Sequence, residues 1–274
     1  HTRSFHVTGV QTCALPIWIS NLHNAKKARS GMVNVVGEHA GYHIKYDAPL
    51  TSDIEGVARP MSDWVKTSPS SKSIAADAAL AIQAARTAPG QIATLILPAD
   101  TAWGEADGPA QVAEPAPRAK VSPQAITDGA RALKNGKTTM LMLGGAALRC
   151  KALDWAARIA AKTGCELMSE SANARFERGA GRAPVGMLPF LVDPALAATK
   201  NARQMVLVGA KQPIAFFAYP NKPSVLTPEG CEIIKVAGVE DDLEAALEAL
   251  ADAVGARGTA PLASAPTYRN AAPT

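Results

Sequence analysis

What is scarce in this sequence narrows its function before any motif is considered. No uninterrupted apolar run approaches the ~20 residues that a membrane-spanning helix requires, and the mean hydropathy is only +0.01. No membrane partner is therefore expected. There are four cysteines, Cys13, Cys150, Cys165 and Cys231, and no two form a CxxC pair. A structural zinc site is not expected from that spacing, and the thiols read as buried groups of a reducing compartment. Lys and Arg number 28 against 24 Asp and Glu, a net charge of +4, and they are scattered. A nucleic-acid face needs a clustered basic stripe, so no nucleic-acid partner is expected. The nucleophile elbow GxSxG, the P-loop GxxxxGK and the zinc-helix HExxH are all missing. No positive n-region followed by an apolar stretch and a small-residue cleavage site is seen, so a cytoplasmic location is the expectation.

What is present belongs to a folded protein. Of 274 residues, 47% are apolar and 19% charged, within the globular range. At roughly 150 residues per domain, that length predicts about two domains.

The two ends read differently from the middle. Residues 1–17, HTRSFHVTGVQTCALPI, share no periodicity with the rest of the chain and resemble a translated sequencing-adapter peptide. They are taken as a non-native head. Residues 258–274 are rich in Ala, Pro and Thr and read as a linker toward a further domain.

Between the ends, strands and helices alternate. Asn21–Arg29 reads as the end of a helix, with Gly31 suited to its C-cap. Met32–Val36 is a short β-branched run closed by Gly37, the pattern of a buried strand. The stretch from Glu38 to Pro49 has no period and reads as a loop leaving the strand's carboxyl end, where ligands bind in open α/β sheets. A short helix is predicted over Ser52–Val57. A longer one spans Ser73–Arg86, with Ser73 as N-cap, and a second buried strand lies at Ile92–Leu97. Residues 105–120 are rich in Pro, Ala and Glu and read as a linker.

The second unit, residues 121–257, opens with a helix from Ser122-Pro123 to Lys134. Strands come next at Thr139–Leu143, Cys165–Met168, Met205–Val208 and Glu232–Val236, with a helix over Ala146–Lys162 and a closing one over Asp241–Val254. Strand–helix–strand spacing of this kind predicts a parallel sheet with crossover helices. The fold class is therefore α/β, with a Rossmann-like doubly wound second unit.

Four stretches carry the candidate chemistry. Glu38 and His39, with His43, can serve as acid, base or polar substrate contacts, or be solvated loop polars. As metal ligands their spacing is weak, and no metal site is assigned. Gly144, Gly145 and Ala146 follow a strand and open a helix. Backbone N–H groups there can hold a nucleotide phosphate, or the glycines can simply permit close packing. The pattern is not GxGxxG, which counts against an NAD(H)-using oxidoreductase. Arg175, Arg178 and Arg182 form a basic glycine-containing loop that can hold an anion or lie exposed. Phe216, Phe217 and Tyr219 can line a pocket mouth or pack internally.

A resemblance appears over Asn34–Trp64, NVVGEHAGYHIKYDAPLTSDIEGVARPMSDW. It looks like the second half of the pyrimidine-binding domain of thiamine diphosphate-dependent enzymes, in the acetolactate synthase and benzoylformate decarboxylase group. In that family a strand ends in glycine, here Gly37, and an Arg-Pro, here Arg59-Pro60, precedes the next strand. The domain closes with the pattern matched by Pro89–Asp100. The turn at Gly144–Ala146, the strand Met205–Ala210 and the aromatics Phe216–Tyr219 resemble the family's central domain. The resemblance covers roughly Ile19 to Leu250. It implies that residues 18–104 are the C-terminal part of a pyrimidine-binding domain and 121–257 the central domain.

The resemblance also implies a parent that decarboxylates a small 2-oxo acid with thiamine diphosphate and Mg2+, then protonates or carboligates the product. It implies a homo-oligomer with sites formed between subunits. The family's activating glutamate is expected upstream, and its Gly-Asp-Gly…Asn motif for magnesium and diphosphate is not matched in this chain. The fragment alone is therefore expected to be inactive and to carry no catalytic residue of its own. Glu38, His39 and Thr51 are the positions implied to face the site. Two departures stand out. Acetolactate synthases show Phe-Gln-Glu where this chain has Pro49-Leu50-Thr51, and benzoylformate decarboxylases place a histidine where this chain has Phe217. No motif supports FAD in the central domain. The alternative is a regulatory module that binds FAD or ADP without catalysis. An orphaned half-domain would also expose a sheet edge, so poor solubility is expected.

Overall fold

The computed structural model describes residues 17–264. The chain divides into two compact units, 1–117 and 118–274. The assignments of residues 1–16 as an adapter-like head and of 265–274 as linker lie outside the described residues.

Unit 1 is a small doubly wound sheet. Among the described residues a helix covers 17–28 (α1). After it come β1 (Met32–Glu38), α2 (Ile54–Ala58), β2 (Trp64–Thr67), α3 (Ile74–Arg86) and β3 (Ile92–Pro98). The three strands are parallel in the order β1-β3-β2. Strand β3 lies in the middle, which is why IATLIL is apolar at nearly every position rather than alternating. Successive residues of β3 face opposite sides of the sheet. Ile92 packs with Leu22 and Ala25 of α1, whereas Ala93 and Leu95 pack with Ala81 and Ala85 of α3.

Several local expectations shift. The left-handed residue after α1 is Arg29 (φ 58°), not Gly31. Gly31 is instead a close-approach position, because a Cβ there would come within 2.3 Å of the Ala85 carbonyl oxygen. Helix α2 begins two residues later than Ser52, because the Asp53 carboxylate accepts the Gly56 N–H at 2.8 Å and sets the start. Ser73 occupies the cap of α3, but its hydroxyl donates to the Ser70 carbonyl at 3.0 Å instead of capping. Strand β2 is missing from the periodicity reading because WVKT is short and half-buried. The Arg-Pro resemblance implied it.

Unit 2 contains α4 (Pro123–Lys134), β4 (Thr139–Leu143), α5 (Cys150–Thr163), β5 (Glu166–Ser169), β6 (Gly186–Met187), α6 (Val192–Thr199), β7 (Gln204–Val208), β8 (Glu232–Ala237) and α7 (Leu243–Val254). All five strands run parallel in the order β6-β5-β4-β7-β8. The chain travels outward from β4 to β6, then returns to the other side of β4 for β7 and β8. The strand order therefore reverses between β4 and β7. The alternation of side chains in these two strands builds two cores. Leu141, Leu143, Val206 and Val208 face α4, α5 and α7, while Met140, Met142, Met205 and Leu207 face α6 and the loop that carries Leu226. Ser122 caps α4 through the Ala125 N–H at 3.2 Å with Pro123 in the first turn, and Asp242 caps α7 through the Ala245 N–H at 3.1 Å.

The single helix expected over Ala146–Lys162 is broken. A 3-10 turn spans Gly145–Leu148, Arg149 is extended, and α5 starts only at Cys150. The cause is remote in sequence: the Glu177 carboxylate accepts the Cys150 N–H at 3.1 Å and fixes the helix start there. Helix α6 has no counterpart in the sequence reading.

Candidate functional site

The rim of unit 1 lies at the carboxyl ends of β1 and β3, which are in register with Glu38 opposite Pro98. Glu38 closes β1, and its Oε1 accepts the His39 N–H at 2.7 Å. Asp100, just past β3, accepts the Gly41 N–H at 3.0 Å and ties the loop to the end of the central strand. The His39 and His43 ring centroids stand 5.6 Å apart, and those of His43 and Tyr46 5.8 Å apart, so three tilted rings neighbour one another along the loop. Lys45 Nζ sits 5.1 Å from the centre of the Tyr46 ring.

Two of the three site positions carry an unmet requirement. His39 Nε2 and Thr51 Oγ1 are buried atoms without a hydrogen-bond partner. Such atoms are uncommon in folded proteins, because each costs about 1–3 kcal/mol. The structure thus brings Glu38 and His39 into contact. It places Thr51 beyond the 3-10 turn Ile44–Tyr46, with no hydrogen bond to either. Asp100 is the rim residue that sequence reasoning missed. Its position at the end of the central strand's closing Pro-Ala-Asp pattern was the available signal.

In unit 2 the glycine turn is engaged internally. Gly144 donates its N–H to the Val208 carbonyl at 3.1 Å, and a Cβ there would lie 2.2 Å from the Gly209 carbonyl oxygen. Close packing therefore requires Gly144, while Gly145 supplies a positive φ of 54° for the turn. The arginine loop is not simply exposed. Arg175 and Arg182 reach Glu177 at 3.2 and 3.6 Å, and Arg178 stacks on Phe176 at 5.0 Å. The Cys150 N–H and thiol hold the Glu177 carboxyl below its usual range, with the two arginines helping. The same carboxylate pushes the Cys150 thiol upward, so this exposed cysteine is a poor nucleophile. Phe190, Phe216, Phe217 and Tyr219 form a mutually packed but exposed cluster, with Phe190 and Phe216 centroids 4.6 Å apart. Among the described residues no group of three or more His, Cys, Asp or Glu is placed to hold a metal. No helix among them is long and apolar enough to cross a membrane.

The comparisons show what this arrangement is similar to. Over 250 residues the chain is 44% identical to the "Putative acetolactate synthase large subunit IlvX" of Mycobacterium tuberculosis (strain ATCC 25618 / H37Rv), covering 90% of this chain and 47% of that protein. The chain is similar to that protein over this stretch, and its solved-structure neighbours are thiamine diphosphate-dependent enzymes. The same fold is seen in a thiamine diphosphate-dependent 4-hydroxybenzoylformate decarboxylase of Rhodococcus jostii RHA1. That structure has TM-score 0.69 at 20% identity, covering 93% of this chain and 51% of that one. Benzoylformate decarboxylase from Polynucleobacter necessarius matches with TM-score 0.65 at 18% identity, covering 84% of this chain and 46% of that one. No family profile matches the chain. The chain spans about half the length of the curated relative it matches.

Proposed function

We propose that this chain is part of a thiamine diphosphate-dependent 2-keto acid decarboxylase or carboligase of the acetolactate synthase-like group. The observation that carries the reading is the rim of unit 1. It lies at the carboxyl ends of parallel strands, where an α/β sheet receives ligands, and its first loop residue His39 has a buried Nε2 with no partner; Thr51 Oγ1, further along the loop, is a second such atom. His39 Nε2 and Thr51 Oγ1 are available to position a polar ligand, and Glu38 fixes the His39 backbone beside them. These residues fit the organic end of the cofactor or its substrate. The described residues do not provide a carboxylate cluster for Mg2+, so the diphosphate–magnesium end is assigned to another part of the parent.

The cofactor, when bound, supplies the carbanion sink that 2-oxo acid decarboxylation requires. Within this chain, Glu38, His39 and Thr51 orient and desolvate. The chain by itself is proposed to be catalytically inactive, since no Gly-Asp-Gly segment occurs in it. A small 2-oxo acid as substrate, a homo-oligomeric parent and a cytoplasmic location complete the reading.

The test is kinetic. In the longer protein carrying this chain, Glu38→Ala, His39→Ala and Thr51→Ala are compared for CO2 release from pyruvate and from benzoylformate with thiamine diphosphate and Mg2+. At least a tenfold fall in kcat/KM at one of the three is expected. Unchanged values at all three sink the assignment, and turnover by the 274-residue chain alone sinks the inactivity.

A further inference from the structure

Unit 2 has the architecture in which doubly wound folds receive a diphosphate. Its strand order reverses between β4 and β7, and ligands of such sheets sit outside the carboxyl ends at that reversal. Phosphates are held there by free backbone N–H groups, and glycines let the ligand approach. In this chain the two glycines at the reversal face each other instead. A Cβ on Gly209 would lie 2.6 Å from the Gly144 carbonyl oxygen, and one on Gly144 would lie 2.2 Å from that of Gly209. The side-chain space of each glycine is thus taken by the other's carbonyl.

A carboxylate lies beside them. Glu170 follows β5, and its backbone N–H donates to the Leu143 carbonyl at the end of β4 at 3.3 Å. Its Oε1 accepts the Lys211 N–H at 2.7 Å, just past β7, while Oε2 would lie 2.9 Å from a Cβ on Gly144. One side chain thus spans the ends of β5, β4 and β7. The Asn173 amide holds the Glu170 carbonyl at 2.6 Å and fixes the residue. The same substitution recurs along the rim. The Gly238 N–H after β8 is taken by Asp241 at 2.7 Å, and the Cys150 N–H at the start of α5 by Glu177.

We infer that Glu170 is an internal counter-anion seated where this fold takes a ligand's phosphate, and that unit 2 thereby excludes diphosphate cofactors such as FAD. The nucleotide role open to Gly144, Gly145 and Ala146 from sequence is then replaced by a structural one. The inference lies wholly within unit 2 and does not depend on the proposed reaction.

The 274-residue chain tests it directly. FAD is titrated to about 1 mM with flavin fluorescence as readout, and pyrophosphate to the same concentration with melting temperature as readout; at 100 times Kd a ligand of the native state adds ~2.7 kcal/mol, which a melt resolves. No saturable response to either is expected. Saturable binding of FAD below 1 mM by the unaltered chain overturns the inference whatever any variant does. Glu170→Gln keeps an acceptor for the Lys211 N–H and removes the charge. It is expected to bind pyrophosphate at least tenfold more tightly than the unaltered chain, whereas Glu166→Gln, at the opposite end of β5, should not. Equal pyrophosphate response in Glu170→Gln and the unaltered chain overturns the role given to the charge. If Glu170→Gln does not melt cooperatively, Glu170→Asp, which withdraws the carboxylate by one methylene, takes its place with the same two outcomes.

Discussion

Units 1 and 2 are built alike, from parallel strands and crossover helices, yet they differ in how many strands are enclosed. In unit 2, β4 and β7 are buried at all five positions each, and both faces carry a core. In unit 1 only β3 is enclosed. Its neighbour β1 is an edge strand with Val35 64% exposed and Val33 37% exposed on the side that α3 covers elsewhere. Leu80 and Ile82 on α3 are exposed as well. An open, β-branched edge leaves unpaired backbone groups that another chain can meet. The difference shows that a βαβ pattern sets the direction of strands but does not guarantee that the outermost strand is covered.

The contrast between the units is largest at the enclosed strands. Leu141→Ala removes a fully buried side chain from the larger core of unit 2 and should cost about 2–5 kcal/mol, read as a lower urea midpoint for that unit. A loss below about 1 kcal/mol would show that this core is loosely packed after all. Next comes the buried carboxylate of unit 1. Burial alone would raise the Asp77 pKa, but the Lys66 ammonium at 2.6 Å and the Ser68 hydroxyl at 2.8 Å bring it below its ordinary value of 3.8. Because the folded value is depressed, its stabilisation is complete above about pH 3.8 and disappears as pH falls through the lower folded value. Asp77→Asn should therefore destabilise unit 1 at neutral pH by about 1–3 kcal/mol, with the deficit shrinking in acid. A pH-independent deficit would assign the loss to packing.

Smaller effects are expected at the edges. Ser122→Ala deletes the cap of α4 and should lower stability by ~1 kcal/mol, visible as a modest fall in Tm. At the open edge, Val35→Lys should change stability by less than about 0.5 kcal/mol. It should nevertheless reduce self-association in sedimentation, since a charge on an edge strand blocks pairing. Unchanged association would place the sticky surface elsewhere, with the exposed Phe216–Phe217 cluster the next to alter.

The elements most legible in sequence were those with a single dominant environment. IATLIL and TMLML are apolar throughout because both faces are buried, and the Ser122-Pro123 and Asp242 starts carry their own capping chemistry. Strand β2 and helix α6 were not legible from periodicity, because four half-buried residues and an eight-residue helix leave no repeating period to count. At the candidate site, the resemblance marked Glu38, His39 and Thr51; the first two are chain neighbours that meet through the His39 N–H, and no hydrogen bond ties Thr51 to them. Asp100 was hidden because its partner Gly41 lies 59 residues away.

By itself the sequence determined the strand–helix alternation, the α/β class and the likeness to thiamine diphosphate-dependent enzymes, since these rest on local periodicity and short ordered motifs. The tertiary structure alone decided which groups meet. Glu177 starts α5 from 27 residues away. Glu170 crosses three strand ends to reach Lys211, and Gly144 abuts Gly209. The meaning of a glycine turn or a carboxylate depends on what the fold brings against it, and a one-dimensional pattern carries no such distance.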